Sequence, residues 1–263
     1  MMSDDYAQRF GGIGRLYGAA VLERLRAAHV CVIGVGGVGS WTVEALARSG
    51  VGALTLVDAD DVCITNVNRQ LPALEGMVGQ PKVRVLAERV RLINPGCAVV
   101  EVAEFYTETT AAGLLAPGFD WVVDCVDRMS TKANIIHTCR ELSRRVLVCG
   151  AAGGRRDGTS VRVADLGLAG QDELLRQVRR KLRRDYGWER CVKKHAKAMG
   201  LPCVFSPEKP MYPRSDGTCS PEAEPGGSLR MDCASGFGAA AFVTGAFGFA
   251  AAGEIVRRIA AGG

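Results

Sequence analysis

Four glycines in the run Gly34-x-Gly36-Gly37-x-Gly39, directly after the apolar stretch His29-Val-Cys-Val-Ile33, form a phosphate-binding pattern. Glycines at these places let a phosphate approach the backbone. A helix that starts there offers its unpaired N–H groups and the positive end of its dipole to the charge. Asp58 lies 19 residues beyond Gly39, at the spacing of an acid that accepts hydrogen bonds from a ribose hydroxyl. This arrangement binds a nucleotide but does not by itself choose between NAD and ATP. The next residues bear on that choice: Asp58-x-Asp60, then Asn66-x-Asn68-Arg69-Gln70, then Lys82. Hydride transfer has no need of extra cations around a triphosphate, whereas nucleotidyl transfer builds negative charge on phosphate that Arg69 and Lys82 can stabilise. Asp127, just beyond a later apolar run, is placed to hold Mg2+ near the same crevice. A plainer alternative for a carboxylate there is to cap the helix that follows.

Positioning these groups requires strands that end, and helices that begin, at one edge of a sheet. His29–Ile33 reads as a buried strand entering the glycine turn, residues 41–49 as a helix ending at Gly50, and Ala53–Val57 as a second strand ending at Asp58. Strand, turn, helix and strand make one βαβ unit with a right-handed crossover. Helices are expected over 81–93 and 132–143, and strands over 99–102, 120–124 and 145–149. This alternation predicts an α/β fold: a Rossmann-like, mostly parallel sheet flanked by helices. Beyond residue 165 the pattern changes. Leu174, Leu175, Val178 and Leu182 give a helical apolar stripe, and residues 200–230 contain six prolines and are expected to be mainly loop. Residues 236–253 carry no charge. Their many Gly and Ala residues favour a buried, closely packed helix over the alternative of a membrane attachment. The expected organisation is an N-terminal helical arm (1–28), a nucleotide-binding core (29–165), and a C-terminal extension (166–263) completing the same domain.

Composition narrows the class. A chain of 263 residues with 48% hydrophobic and 23% charged residues encloses a sizeable core, which excludes disorder and low-complexity classes. Its 33 glycines are nearly twice the usual share of about 7%, and they cluster at turns. Ten cysteines occur without an apolar leader in the first twelve residues, so a reducing cytoplasmic setting is expected. No two cysteines stand three apart, so no CxxC zinc site, and no zinc, is expected. The net charge of +5 is concentrated: residues 176–197 hold ten Lys or Arg against two acids. Arg179, Arg180, Arg183 and Arg184 in that segment fit a polyanionic partner, with a solvated helix face as the alternative.

Taken together, the Gly34–Ser40 turn, Asp58-x-Asp60, Asn66-x-Asn68-Arg69-Gln70, Lys82 and Asp124-Cys-Val-Asp127 resemble the adenylation core of the ubiquitin-activating-like (ThiF/MoeB/HesA) superfamily. More narrowly, three further motifs resemble the tRNA threonylcarbamoyladenosine dehydratases. These are Arg9-Phe-Gly-Gly-Ile-Gly-Arg15-Leu-Tyr-Gly18, Tyr212-Pro-x-Ser-Asp-Gly217 and Arg230-Met-Asp-Cys-Ala-Ser-Gly-Phe-Gly238. The resemblance implies that the glycine turn binds ATP, that Asp58 holds the ribose, that Arg69 and Lys82 bind phosphates, and that Asp127 positions Mg2+. Asn66 lines the same pocket by this comparison. Arg15 takes the place of an arginine that reaches into a partner subunit's site, which implies a homodimer.

The implied activity is ATP-dependent cyclisation of N6-threonylcarbamoyladenosine beside the anticodon of tRNA, through an acyl-adenylate. The main rival is adenylation of a small sulfur-carrier protein's C-terminus, against which the missing CxxC pairs and the basic segment argue. Other rivals are a non-catalytic tRNA-binding or sulfur-relay partner, since some relatives are associated with a cysteine desulfurase system, and an NAD oxidoreductase. Support of the site by a monovalent cation, and a thiol role for Cys191, Cys203, Cys219 or Cys233, are left open by the residues.

Overall fold

The computed structural model describes residues 4–188, 198–222 and 237–262. The elements in chain order are α1 (Asp4–Tyr17), α2 (Ala19–Ala27), β1 (His29–Ile33), α3 (Gly37–Arg48), β2 (Ala53–Val57), α4 (Lys82–Ile93) and β3 (Ala98–Val102). They continue with α5 (Ala111–Leu115), β4 (Trp121–Asp124), α6 (Met129–Glu141), β5 (Val146–Cys149), β6 (Arg162–Asp165) and α7 (Glu173–Asp185). The last are β7 (Pro202–Phe205), β8 (Tyr212–Pro213), β9 (Cys219–Ser220) and α8 (Ala241–Ala260).

Seven strands form one sheet in the order β3-β2-β1-β4-β5-β7-β6, and every pairing is parallel except β6 with β7. Strand β1 is the switch point: the chain adds β2 and β3 on one side of it and β4 and β5 on the other. Ligands of such sheets bind at the carboxyl ends of the strands beside that point. The inner strands bury both faces, so alternate residues feed two cores. Val30, Val32, Leu54, Leu56 and Val123 pack with α3, α4 and α8, whereas Cys31, Ile33, Val122 and Val148 pack with α5, α6 and α7.

The expected strands and helices of the first 165 residues are present, with some helix starts displaced. Helix α3 begins at Gly37, inside the glycine turn, and α6 begins at Met129. The proline-rich stretch departs from expectation, because it contributes β7 to the interior of the sheet between β5 and β6. Pro202 opens that strand, where a missing N–H is tolerated, and Cys203, Val204 and Phe205 are as buried as any core strand. The Pro-rich segment also forms the short β8–β9 hairpin.

Helix α8 lies along α3. A Cβ on Gly248 would stand 2.6 Å from the Trp41 Cβ and 2.7 Å from the Val38 carbonyl oxygen, so only glycine permits this approach. Thr42 Oγ1 donates to the Gly248 carbonyl at 3.3 Å across the same contact. The helix runs past the uncharged stretch to Glu254, which is buried and paired with Arg257 and Arg258. Among the described residues no helix is long and apolar enough to cross a membrane. At the chain start, α1 is pinned by Tyr6, whose hydroxyl donates to the carbonyls of Gly50 (2.6 Å) and Leu22 (3.2 Å).

Candidate active site

The glycine turn closes on itself so tightly that side chains are excluded. Gly34 has φ +83°, and a Cβ on Gly39 would lie 1.9 Å from the Gly34 carbonyl oxygen. The first turn of α3 therefore rests directly on the end of β1. Gly36 is its N-cap and no side chain caps it, which leaves the helix N-terminus open to an anion. Arg69 and Gln70 cover the turn: hypothetical Cβ atoms on Gly37 and Gly36 would meet Arg69 Cγ at 3.9 Å and Gln70 Nε2 at 3.6 Å. The Gln70 Oε1 is buried and has no donor.

Asp58 extends from β2 into the same crevice. One oxygen accepts the Val35 N–H (2.8 Å) and the other the Asp60 N–H (2.9 Å), and burial pushes its carboxyl above the usual range. Asp60 pairs with Lys82 Nζ at 2.8 Å, while the Lys82 N–H donates to the Asp60 carbonyl at 3.0 Å. Lys82 is only 5% exposed, so its ammonium is held beneath the crevice by one half-exposed carboxylate. Arg69 is oriented by two acceptors, the Thr65 carbonyl (2.7 Å) and Asn68 Oδ1 (3.0 Å). Its own carbonyl takes hydrogen bonds from Trp41 Nε1 (3.2 Å) and Thr244 Oγ1 (3.0 Å), which ties the loop to α3 and α8. Asn66 is buried and accepts the Cys63 N–H at 3.1 Å, so in this state it shapes the loop.

On the other side of β1, Asp124 ends β4. It is fully buried and faces Lys132 Nζ at 2.8 Å, with Lys132 equally buried. Burial pushes the Asp124 carboxyl up to about 6, against the opposing pull of Lys132. Asp127 is exposed and makes no hydrogen bond or ion pair among the described residues. It is not a helix cap, because the N-cap of α6 is Arg128. Lys132 is the residue that sequence reasoning missed; its only signal was its place eight residues after Asp124.

Two groups of expected site residues lie elsewhere. Arg15 is exposed near the end of α1. Arg24 of the neighbouring α2 donates to the Ala260 carbonyl at 2.6 Å, and Tyr17 lies near Arg257, which puts this region beside the far end of α8. Thr244, at the start of α8, touches the glycine turn, and from there to Arg257 the helix climbs about 20 Å. Arg15 is therefore not gathered into the crevice of its own chain. Along α7 the four arginines do not form one patch. Arg179 donates to the carbonyls of Leu166 (3.1 Å) and Ala169 (2.9 Å), Arg184 pairs with Asp185, Arg180 is exposed, and Arg183 turns toward a cavity.

All eight described cysteines are free thiols. Cys203 is buried in β7 and its thiol is pushed up to about 12, whereas Cys219 is exposed. Cys191, Cys233, Arg190, Lys193, Lys194, Lys197 and the Arg230–Gly236 part of the last motif lie outside the described residues. Among the described residues no three His, Cys, Asp or Glu side chains gather as a metal site.

This chain is 47% identical over 262 residues to the tRNA threonylcarbamoyladenosine dehydratase of Escherichia coli, covering 99% of this chain and 97% of that protein. It is 46% identical over 256 residues to the enzyme of the same name from Haemophilus influenzae, covering 97% and 95%. The crystal structure of the E. coli tRNA N6-threonylcarbamoyladenosine dehydratase TcdA in complex with ATP superimposes with a TM-score of 0.87 at 42% identity, over 100% of this chain and 98% of that one. The sequence profile of the ThiF family matches residues 12–262, and with the glycine turn, Asp58, Arg69 and Lys82 assembled around one crevice, the chain belongs to the ThiF family.

Proposed function

We propose that this protein is an ATP-dependent tRNA threonylcarbamoyladenosine dehydratase. The observation that carries the reading is the end-to-end match to enzymes of that activity, 99% of this chain against 97% of the E. coli protein. ATP is a substrate of the reaction and occupies the crevice over the glycine turn. Its ribose hydroxyls meet Asp58, its phosphates meet the α3 N-terminus and Arg69, and Gln70 Oε1, buried without a donor, accepts from the nucleotide.

A carboxylate oxygen of the threonyl group attacks the α-phosphorus. The bond from that phosphorus to the bridging oxygen breaks, pyrophosphate leaves, and an acyl-adenylate remains. A nitrogen or oxygen of the carbamoyl group then attacks the activated carbonyl carbon, its C–O bond to AMP breaks, and a carbamoyl N–H proton passes to solvent as the ring closes; the nucleoside is lighter by one water, whose oxygen leaves on AMP. Arg69 and Lys82 stabilise the charge that grows on the phosphates. Lys82 needs no search for its place, because Asp60 already holds it at 2.8 Å. Ring closure gains from both reacting groups being held in one pocket.

Asp127, an exposed carboxylate without a partner among the described residues, fits Mg2+, which is commonly held by one or two carboxylates together with substrate phosphates and waters. Such an ion would neutralise charge on the phosphates. Arg15 completes the site from a second copy of the chain, since its own crevice is out of reach. The tRNA lies against the exposed side of α7, where Arg180 and Arg184 face solvent. The free thiols fit a reducing cytosol.

The test is mass spectrometry of nucleosides from tRNA incubated with enzyme and ATP, read with AMP release. Loss of one water from N6-threonylcarbamoyladenosine is expected. Lys82→Ala and Asp127→Ala are each expected to abolish AMP formation while the melting curve stays cooperative. Full turnover by either variant overturns its assigned role, and an unchanged nucleoside overturns the function.

A further inference from the structure

At the opposite end of the sheet from the glycine turn, the carboxyl ends of α6 and α7 and the start of β5 line a half-open cavity of about 560 Å³. Its described lining includes Arg140, Arg144, Arg183, Trp188, Val146 and Met199, and no acid. Three buried donors on this lining have no acceptor: Nε of Arg144, Nε of Arg183 and Nε1 of Trp188. Among the described residues the Arg144 guanidinium makes a single hydrogen bond, to the Ala116 carbonyl at 3.0 Å. The Arg140 guanidinium lies over the Trp188 ring, 4.6 Å from its centroid, and makes no hydrogen bond or ion pair among the described residues.

This arrangement is costly without a ligand. Each buried donor left unpaired has given up its hydrogen bond to water without replacement, and three guanidinium groups around one space repel one another. Among the described lining residues every unmet group is a donor and every charge is positive, and an anion with several oxygen acceptors answers both. Guanidinium groups match phosphate oxygens in geometry, and Arg140 stacked on an indole keeps its N–H edge free for them. The apolar walls at Val146 and Met199 suit a planar base or a sugar, and the volume falls within the range of small-molecule pockets.

We infer that this cavity seats one nucleotide of the tRNA, with its backbone phosphate on Arg140, Arg144 and Arg183. The inference rests on the tRNA reading above, and exposed Arg180 on the same helix continues the basic track toward it. Because the cavity lies at the far end of the strands from the ATP crevice, it contributes affinity and register, not chemistry.

The experiment compares the wild type with Arg144→Gln/Arg183→Gln in binding of a fluorescein-labelled tRNA transcript across a salt series, alongside ATP binding and thermal melting. At least a tenfold loss of tRNA affinity near 0.1 M salt is expected, with the log–log salt slope reduced by about one, and with ATP affinity and melting unchanged. Arg144→Lys/Arg183→Lys should regain the slope but not the full affinity, since lysine keeps the charge and loses the fork. A merely structural cluster would instead lower the melting point and ATP binding together, which overturns the proposal. An unchanged slope in the Gln variant overturns it while leaving the tRNA reading intact. A wild type that neither binds nor converts tRNA overturns both. If inorganic phosphate quenches Trp188 emission, judged against Trp188→Phe, and the tRNA transcript does not, the ligand is a free anion and the RNA assignment fails.

Discussion

Replacing Lys132 by Met isolates the physics of the buried pair beneath the crevice. Lys132 and Asp124 are both 0% exposed and 2.8 Å apart. Met conserves most of the volume and removes the cation that faces that carboxylate among the described residues. Breaking a buried pair from one side costs about 3–5 kcal/mol, because the remaining charge is left uncompensated. At roughly 2–4 °C per kcal/mol for a protein of this size, the melting point should fall by about 6–20 °C. The loss should also depend on pH. Burial already pushes Asp124 up to about 6, and without Lys132 its folded value rises further above the unfolded one. The native variant then holds a proton that its unfolded chain has lost. Its stabilisation is present below the ordinary carboxylate range and fades as pH rises through the folded value. Urea unfolding of wild type and variant at pH 5 and pH 7.5 reads this directly: the gap between them should be wider at pH 7.5. Lys132→Met/Asp124→Asn, which removes both charges, should recover most of the loss. A Lys132→Met protein that melts within about 2 °C of wild type at neutral pH, or a gap that does not change with pH, refutes the reasoning.

Gly39→Ala puts a methyl 1.9 Å from the Gly34 carbonyl oxygen. Relieving that backbone clash should cost about 1–3 kcal/mol and weaken ATP binding at least tenfold, both measurable by ATP titration and melting. Arg179→Ala removes the donor to the Leu166 and Ala169 carbonyls; it should destabilise by about 1–3 kcal/mol yet leave the salt slope of tRNA binding unchanged, whereas Arg180→Ala should reduce that slope. His29 is held below its ordinary value by burial, so its unfolded form binds protons more readily and its contribution to stability is lost as pH falls below about 6.5. His29→Gln should therefore lose less stability than wild type between pH 7.5 and 5.5 in urea titrations.

The first 165 residues are legible because their strands are short β-branched runs between glycine turns and periodic helices, and each such local preference agrees with the final packing. The crevice was legible for the same reason: Gly34 to Gly39, Asp58, Arg69 and Lys82 stand at spacings that the βαβ unit converts into neighbours. Strand β7 was hidden by its own Pro202 and the five prolines that follow it, which mark loops unless, as at Pro202, the proline sits at a strand's first residue. Lys132 was hidden because a lysine on a helix ordinarily faces water; only the tertiary burial of Asp124 requires it inside. Arg179 is the opposite case. It belongs to a basic helical face by composition, but its guanidinium folds back onto two carbonyls that only the loop before α7 brings near.

The contact between α3 and α8 also orders events during synthesis. Helix α8 is made after every strand of the sheet, yet it touches the glycine turn at Thr244 and fixes the loop carrying Arg69. Domains fold as the chain emerges, so the βαβ unit can collapse early while its phosphate loop still lacks the helix that braces it. Nascent chains halted on the ribosome at residue 222 should consequently show a protected sheet and no ATP binding. On this order the scaffold forms first and the brace for the Arg69 loop arrives after it.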